Sequence, residues 1–191
     1  MKMLVLLGSP RKGGNSETLA RKVGEAVEKE GWTVDYIRLN DLQLRSCQGC
    51  GGCEKTGVCV VKDDMTGVYE AVDAADRILL VSPVHFYGLS GQAKSCGDRF
   101  QAHWSRKYLL NIRFRQGEGR KGYLLSTSAT TGPKIFDCSI LTTRYIFDAM
   151  DIEYGGEFLV KGVDSRKAVL GLPDEMDRAE QFGRAIAAGR V

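Results

Sequence analysis

The sequence predicts an open, mostly parallel α/β sheet with helices on both faces, and three observations predict it. Short apolar runs recur within Met3–Leu7, Arg77–Ser82 and Lys121–Ser126, as expected of strands buried on both faces. Segments of helical period separate these runs. The chemically unusual loops, 8–16, 44–62, 83–90 and 127–133, fall where the predicted strands end. Open sheets of this kind bind ligands outside the carboxyl ends of their strands.

The elements follow in order. Met3–Leu7 is the first strand, and Ser16–Glu30 is a helix with Leu19, Val23, Ala26 and Val27 on one stripe, ended by Gly31. Trp32–Leu39 is a second strand, with Trp32, Val34 and Tyr36 alternating against polar neighbours. Asp63 or Asp64 caps a helix through Val68, Val72 and Ala75. Arg77–Ser82 is the third strand, 90–108 a helix, Lys121–Ser126 the fourth strand, 134–150 a helix, 152–160 the fifth strand and 173–188 the closing helix. No linker or repeat divides residues 1–191, which read as a single domain carrying a cysteine-rich loop at 44–62.

Composition excludes several classes. The net charge is +3 and no Lys/Arg stripe stands out, so nothing points to nucleic acid. No apolar run approaches the ~20 residues that span a bilayer. The apolar start is shorter than a signal-peptide core and is broken by Gly8-Ser9-Pro10-Arg11, so the expected location is cytoplasmic.

The first loop reads Gly8-Ser9-Pro10-Arg11-Lys12-Gly13-Gly14-Asn15-Ser16-Glu17-Thr18. Between a buried strand and a helix, it can offer backbone N–H groups and a helix N-terminus to an anion. It matches neither G-x-G-x-x-G nor the P-loop. It is rich instead in hydroxyl and amide side chains. Ser9, Asn15, Ser16 and Thr18 as donors, with Arg11 for charge, suit a terminal phosphate monoester. The third loop, Ser82-Pro83-Val84-His85-Phe86-Tyr87-Gly88, supplies Pro83, Val84, His85, Phe86 and Tyr87 as a wall for a planar ring. There Gly88 permits a tight turn. The small polar fourth loop adds Thr127 and Ser128 as donors.

Six cysteines are present, and Cys47, Cys50, Cys53 and Cys59 form a C-x2-C-x2-C-x5-C run. In a cytosolic chain such clustering points to metal or redox chemistry rather than to structural disulfides. Thiolates at i, i+3 and i+6 can wrap one face of a cube, and a fourth after a glycine-containing turn can close it. The run differs from the ferredoxin pattern, because Val60 rather than proline follows the last cysteine. Three readings stand at this point: a 4Fe-4S cluster, a structural zinc, and metal-free thiols. Cys96 and Cys138 read as buried small hydrophobes.

These motifs resemble a known family. Gly-Ser-Pro-Arg-x-x-Gly-Asn-Ser after strand one, Ser-Pro-Val-x-Phe-Tyr-Gly after strand three, and Lys94 with Asp98-Arg99 in the next helix are similar to the NADPH-dependent FMN reductase superfamily. The cysteine run resembles its iron–sulfur flavoprotein branch. The resemblance implies a flavodoxin-like three-layer sandwich with strand order 2-1-3-4-5 and FMN bound by the loops just named. It implies Cys47, Cys50, Cys53 and Cys59 as ligands of one 4Fe-4S cluster, and a homodimer or homotetramer. His85 stands where a tyrosine is more usual, and is a candidate for proton transfer at the flavin edge.

Such a protein would connect a two-electron reaction at FMN to one-electron transfer through the cluster. Electrons would come from NAD(P)H or another small molecule, or from a ferredoxin. The alternatives are an NAD(P)H-dependent FMN or quinone reductase without a working cluster, and a non-enzymatic electron shuttle. The positive net charge counts against a shuttle of the usual acidic kind.

Overall fold

The computed structural model describes residues Met1–Val191. Five parallel strands, β1 (Lys2–Leu7), β2 (Thr33–Arg38), β3 (Arg77–Pro83), β4 (Lys121–Thr127) and β5 (Glu153–Val160), form one sheet in the order 2-1-3-4-5. The helices are α1 (Asn15–Lys29), α2 (Met65–Ala74), α3 (Gly91–Arg99), α4 (Gln101–Trp104), α5 (Asp137–Ala149) and α6 (Pro173–Ala187).

Strand alternation divides the core into two layers. Met3, Val5 and Leu7 face α1 and α6, packing with Leu19, Val23, Val27, Ala179 and Ile186. Leu4 and Leu6 face the other way, onto Val68 and Val72 of α2, Ala93 of α3 and Phe147 of α5. Because β1 pairs with both β2 and β3, it lies where the winding reverses. Its C-terminal loop therefore opens at the switch point.

Three predicted features change. The helix expected over 90–108 is broken into α3, α4 and a wider π-helical turn at Ser105–Leu109. The helix expected from 134 begins at Asp137, because Lys134 takes a left-handed backbone (φ 57°) that a helix cannot continue. Cys138 is exposed rather than buried. The inward stripe of α5 runs through Ser139, Thr143 and Phe147, and Cys138 lies one step off it. Cys96 is buried as expected, and burial pushes its thiol up to about 12.

Candidate functional site

Buried serines lock the loops at the carboxyl edge of the sheet. Ser82, Ser90 and Ser126 are fully buried. Ser90 Oγ donates to the Gly8 carbonyl (2.6 Å), and the Ser90 amide donates to Ser82 Oγ (2.9 Å). Ser126 Oγ donates to the Ser82 carbonyl (2.8 Å). The ends of β1, β3 and β4 are thus tied by hydroxyls that have little freedom to leave. Gly8 must approach closely: a Cβ there would lie 2.7 Å from Ala93 Cβ and 2.8 Å from the Val81 oxygen.

Above these ties lies a pocket of about 140 Å³ that includes Ser9, Arg11, Ser16, Thr127 and Arg166. The N-terminus of α1 opens beside it at Gly14, Asn15 and Ser16, and no side chain caps that helix. Its free N–H groups and dipole suit an anion such as a phosphate. Ser9 Oγ accepts from the Arg11 amide (3.2 Å), holding the loop in shape. Two predicted donors are engaged elsewhere. Asn15 lines the pocket, but its amide donates to the Val163 (3.2 Å) and Ser165 (2.9 Å) carbonyls and its oxygen accepts from the Val169 amide. Thr18 Oγ1 donates to the Gly14 carbonyl (3.0 Å), away from the pocket wall.

Sequence reading passed over Glu17. Its carboxylate accepts from the Gly13 amide (2.7 Å) and pairs with Arg38, fixing the turn beneath the pocket. Burial pushes its pKa up, but the Gly13 amide and Arg38 outweigh burial and hold it below the usual carboxylate range.

The third loop divides. Pro83, Val84 and His85 line the pocket, whereas Phe86 and Tyr87 lie outside it. The His85 and Gly88 amides and carbonyls exchange hydrogen bonds of 3.0 Å, closing a two-residue turn. Its central residues are Phe86 (φ 49°) and Tyr87 (φ 63°). The left-handed positions therefore belong to two aromatics, and Gly88 is not the residue that supplies the turn's unusual backbone. This is a type I′ pattern, for which Asn-Gly is the favoured pair. The turn throws Phe86 fully into solvent at the mouth of the pocket.

In the fourth loop Thr127 and Ala129 line the pocket, but Ser128 turns its hydroxyl to the Thr130 carbonyl (2.7 Å). A fifth loop, unread in the sequence, completes the wall with Val163, Asp164 and Arg166. Arg166 donates to the Lys12 carbonyl (2.6 Å) and Arg11 to the Asp164 carbonyl (3.3 Å), so two guanidinium groups strap the first loop to the segment that follows β5. The signal was available, since every loop after a strand of a parallel sheet opens on the same edge.

The cysteine loop makes a second, separate pocket of about 110 Å³, lined by Cys47, Cys50, Cys53 and Cys59 together with Arg99, Gln101 and Ala102. Cys50 is exposed and the other three are half-buried. Cys53 Sγ lies 3.4 Å from Ser105 Oγ, at the π-helical turn. Gly57 has φ 69°, and a Cβ there would meet Arg106 Cβ at 2.9 Å, so the loop fits against this turn only with glycine. No three His, Cys, Asp or Glu side chains converge as ligands of a single metal ion. The four cysteines line one pocket, and the buried Nε of Arg99, a residue of the same lining, has no hydrogen-bond partner.

A doubly wound 2-1-3-4-5 sheet with a pocket at the switch point defines a flavodoxin-like α/β protein. A solved NAD(P)H:quinone oxidoreductase from Methanothermobacter marburgensis superposes with a TM-score of 0.69 at 16% identity, covering 97% of this chain and 96% of that one. At that identity the likeness speaks for the fold. The sequence profile of the NADPH-dependent FMN reductase family matches residues 1–131, and the chain belongs to this family of flavin-binding oxidoreductases. An iron–sulfur flavoprotein of Methanocaldococcus jannaschii is 39% identical over 119 residues, 62% of this chain and 59% of that protein. One of Archaeoglobus fulgidus is 33% identical over 109 residues, 57% of this chain and 50% of that protein. The chain thus spans between half and three-fifths of the length of these curated relatives. No helix is long and apolar enough to cross a membrane.

Proposed function

We propose that the protein couples a two-electron reaction at bound FMN to one-electron transfer through a 4Fe-4S cluster held by Cys47, Cys50, Cys53 and Cys59. The observation that carries this reading is the gathering of all four thiols around one pocket, on a chain that also has the anion pocket of a flavin-binding family. The names of the iron–sulfur flavoproteins cited above point the same way. FMN supplies hydride or paired-electron chemistry and a cluster supplies single-electron steps.

The chain's own residues bind and orient. The open N-terminus of α1, Ser9, Ser16 and the two strapping guanidiniums, Arg11 and Arg166, would hold the phosphate. Pro83, Val84 and His85 would border the ring, with Thr127 as a hydrogen-bonding partner from the next strand end. Among the side chains that line the pocket, His85 and Asp164 carry groups able to exchange a proton, and His85 is the one on the loop that would border the ring. The electron donor follows the family, NAD(P)H, with a ferredoxin or another small molecule as the one-electron partner. All six cysteines are unpaired, which suits a reducing cytoplasm.

Anaerobic purification, an absorption spectrum, and iron and sulfide assays test the reading. Flavin bands over a broad shoulder with about four irons per chain are expected. Iron near zero after reconstitution, with flavin retained, would leave an FMN or quinone reductase without a cluster. The Cys47→Ser variant should lose iron and keep its flavin.

Self-association into a dimer or tetramer belongs to the same proposal. Trp104, Tyr108, Leu141 and Tyr145 expose apolar surface along a groove between α4 and α5. A second copy covering that groove would bury it. Tyr145→Glu should then shift the protein to monomers in sedimentation velocity. An unchanged sedimentation profile would place the interface elsewhere.

A further inference from the structure

Between Asp41 and Met65 the chain forms neither helix nor strand, yet it must hold four sulfurs in place. Much of its anchorage comes from one side chain on α3. Arg99 is 1% exposed. Its Nη1 donates to the Arg45 carbonyl (2.8 Å) and to Asp63 Oδ2 (2.6 Å). Its Nη2 donates to Cys59 Sγ (3.4 Å), the Val61 carbonyl (3.4 Å) and Asp63 Oδ1 (3.1 Å). The entering leg of the loop, its leaving leg and one ligand sulfur thus meet on a single guanidinium. Asp63 completes the clasp by accepting from the Arg45 amide (3.0 Å) and the Met65 amide (3.1 Å). Nε remains without a partner, and Arg99 is one of the residues that line the cysteine pocket.

We infer that Arg99 is the positioning residue of the cysteine loop: its fork fastens both legs before any cluster arrives and sets a fixed positive charge and a hydrogen-bond donor against the Cys59 sulfur. The electrochemical part rests on the cluster reading; the mechanical part rests on the loop alone. Lysine cannot replace the fork, because an ammonium is a point charge without the planar donor array that reaches both legs at once. Reduction adds negative charge to a cluster, so a cation beside a ligand sulfur raises the potential, and removing it lowers the potential.

The test uses the full FMN-loaded chain in two variants, Arg99→Lys and the paired replacement Arg99→Met with Asp63→Leu. The pair is included because apolar substitution of both partners preserves folds that a single deletion would break. Circular dichroism and flavin retention establish folding. Trypsin cleavage after the exposed Lys55 is then followed in metal-free protein. Both variants should be cut about tenfold faster than wild type, since the loss of charged buried hydrogen bonds opens the loop. After reconstitution, the paired variant, which loses no net charge but loses the hydrogen bond to the Cys59 sulfur, should show a more negative cluster potential than wild type. Wild-type cleavage rates in both folded variants, or full protection by Arg99→Lys, would overturn the inference. A wild-type chain that takes up no iron would sink the cluster reading, while the cleavage rates would still decide the role of Arg99.

Discussion

The two pockets at the carboxyl edge of the sheet are built in opposite ways. The candidate anion pocket stands on strand ends locked by fully buried hydroxyls, with the uncapped N-terminus of a long helix beside it. The cysteine pocket stands on a segment without regular structure, clasped by one buried ion pair and shaped by glycine turns. A site made from the scaffold exists whenever the protein is folded. A site made from a loop depends on a few contacts and on whatever binds between its thiols.

The largest test of this contrast is Asp63→Ala, which leaves Arg99 buried without its carboxylate. It should cost about 3–5 kcal/mol and lower the melting temperature by roughly 10 °C, while flavin affinity in the surviving folded protein stays near wild type. A large loss of flavin affinity would show the two pockets to be coupled. Ser90→Ala probes the other side. It removes a hydroxyl that donates to Gly8, accepts from Ser82 Oγ and caps α3, and should cost about 1–3 kcal/mol with weaker flavin binding and an intact cysteine loop. Calorimetry and flavin fluorescence measure both quantities.

Arg166→Ala should weaken FMN binding about tenfold, an effect that shrinks as salt rises. Riboflavin, lacking the phosphate, should bind the variant and the wild type equally. The smallest effect concerns pH. Burial raises the Asp63 pKa, but Arg99 and the Arg45 and Met65 amides outweigh it and hold the group below its ordinary 3.8. Its stabilisation is therefore complete above that ordinary value and is lost as pH falls through the lower folded value. Acid titration of stability should be shallower below about pH 4 in the paired Arg99→Met, Asp63→Leu variant than in wild type.

The sheet was legible because its strands are buried on both faces, so Met3–Leu7 and Arg77–Ser82 announce themselves as apolar runs. Strand order came from resemblance, since periodicity carries no information about which strands are neighbours. That the first loop lines a pocket was legible, but how its side chains are engaged was not. Asn15 and Thr18 are good donors by type, yet their nearest acceptors are carbonyls of their own fold, which only tertiary contacts reveal. Arg166 was hidden in a featureless segment and reaches Lys12 from more than 150 residues away. The clasp on the cysteine loop was hidden for the same reason. Arg99 looked like part of a motif, but nothing local says that a charged side chain in a helix will be buried against a loop some forty residues earlier.

The aromatic turn at the mouth of the anion pocket has a consequence for selection. Left-handed backbone at a residue with a side chain costs about 1–2 kcal/mol, and Phe86 and Tyr87 both adopt it. Libraries randomised at these two positions and enriched only for heat resistance would drift toward Asn-Gly. Libraries enriched for turnover would keep whatever the rings contribute to substrates entering the pocket. The divergence between the two enriched pools would measure how far heat resistance and turnover make different demands on this turn.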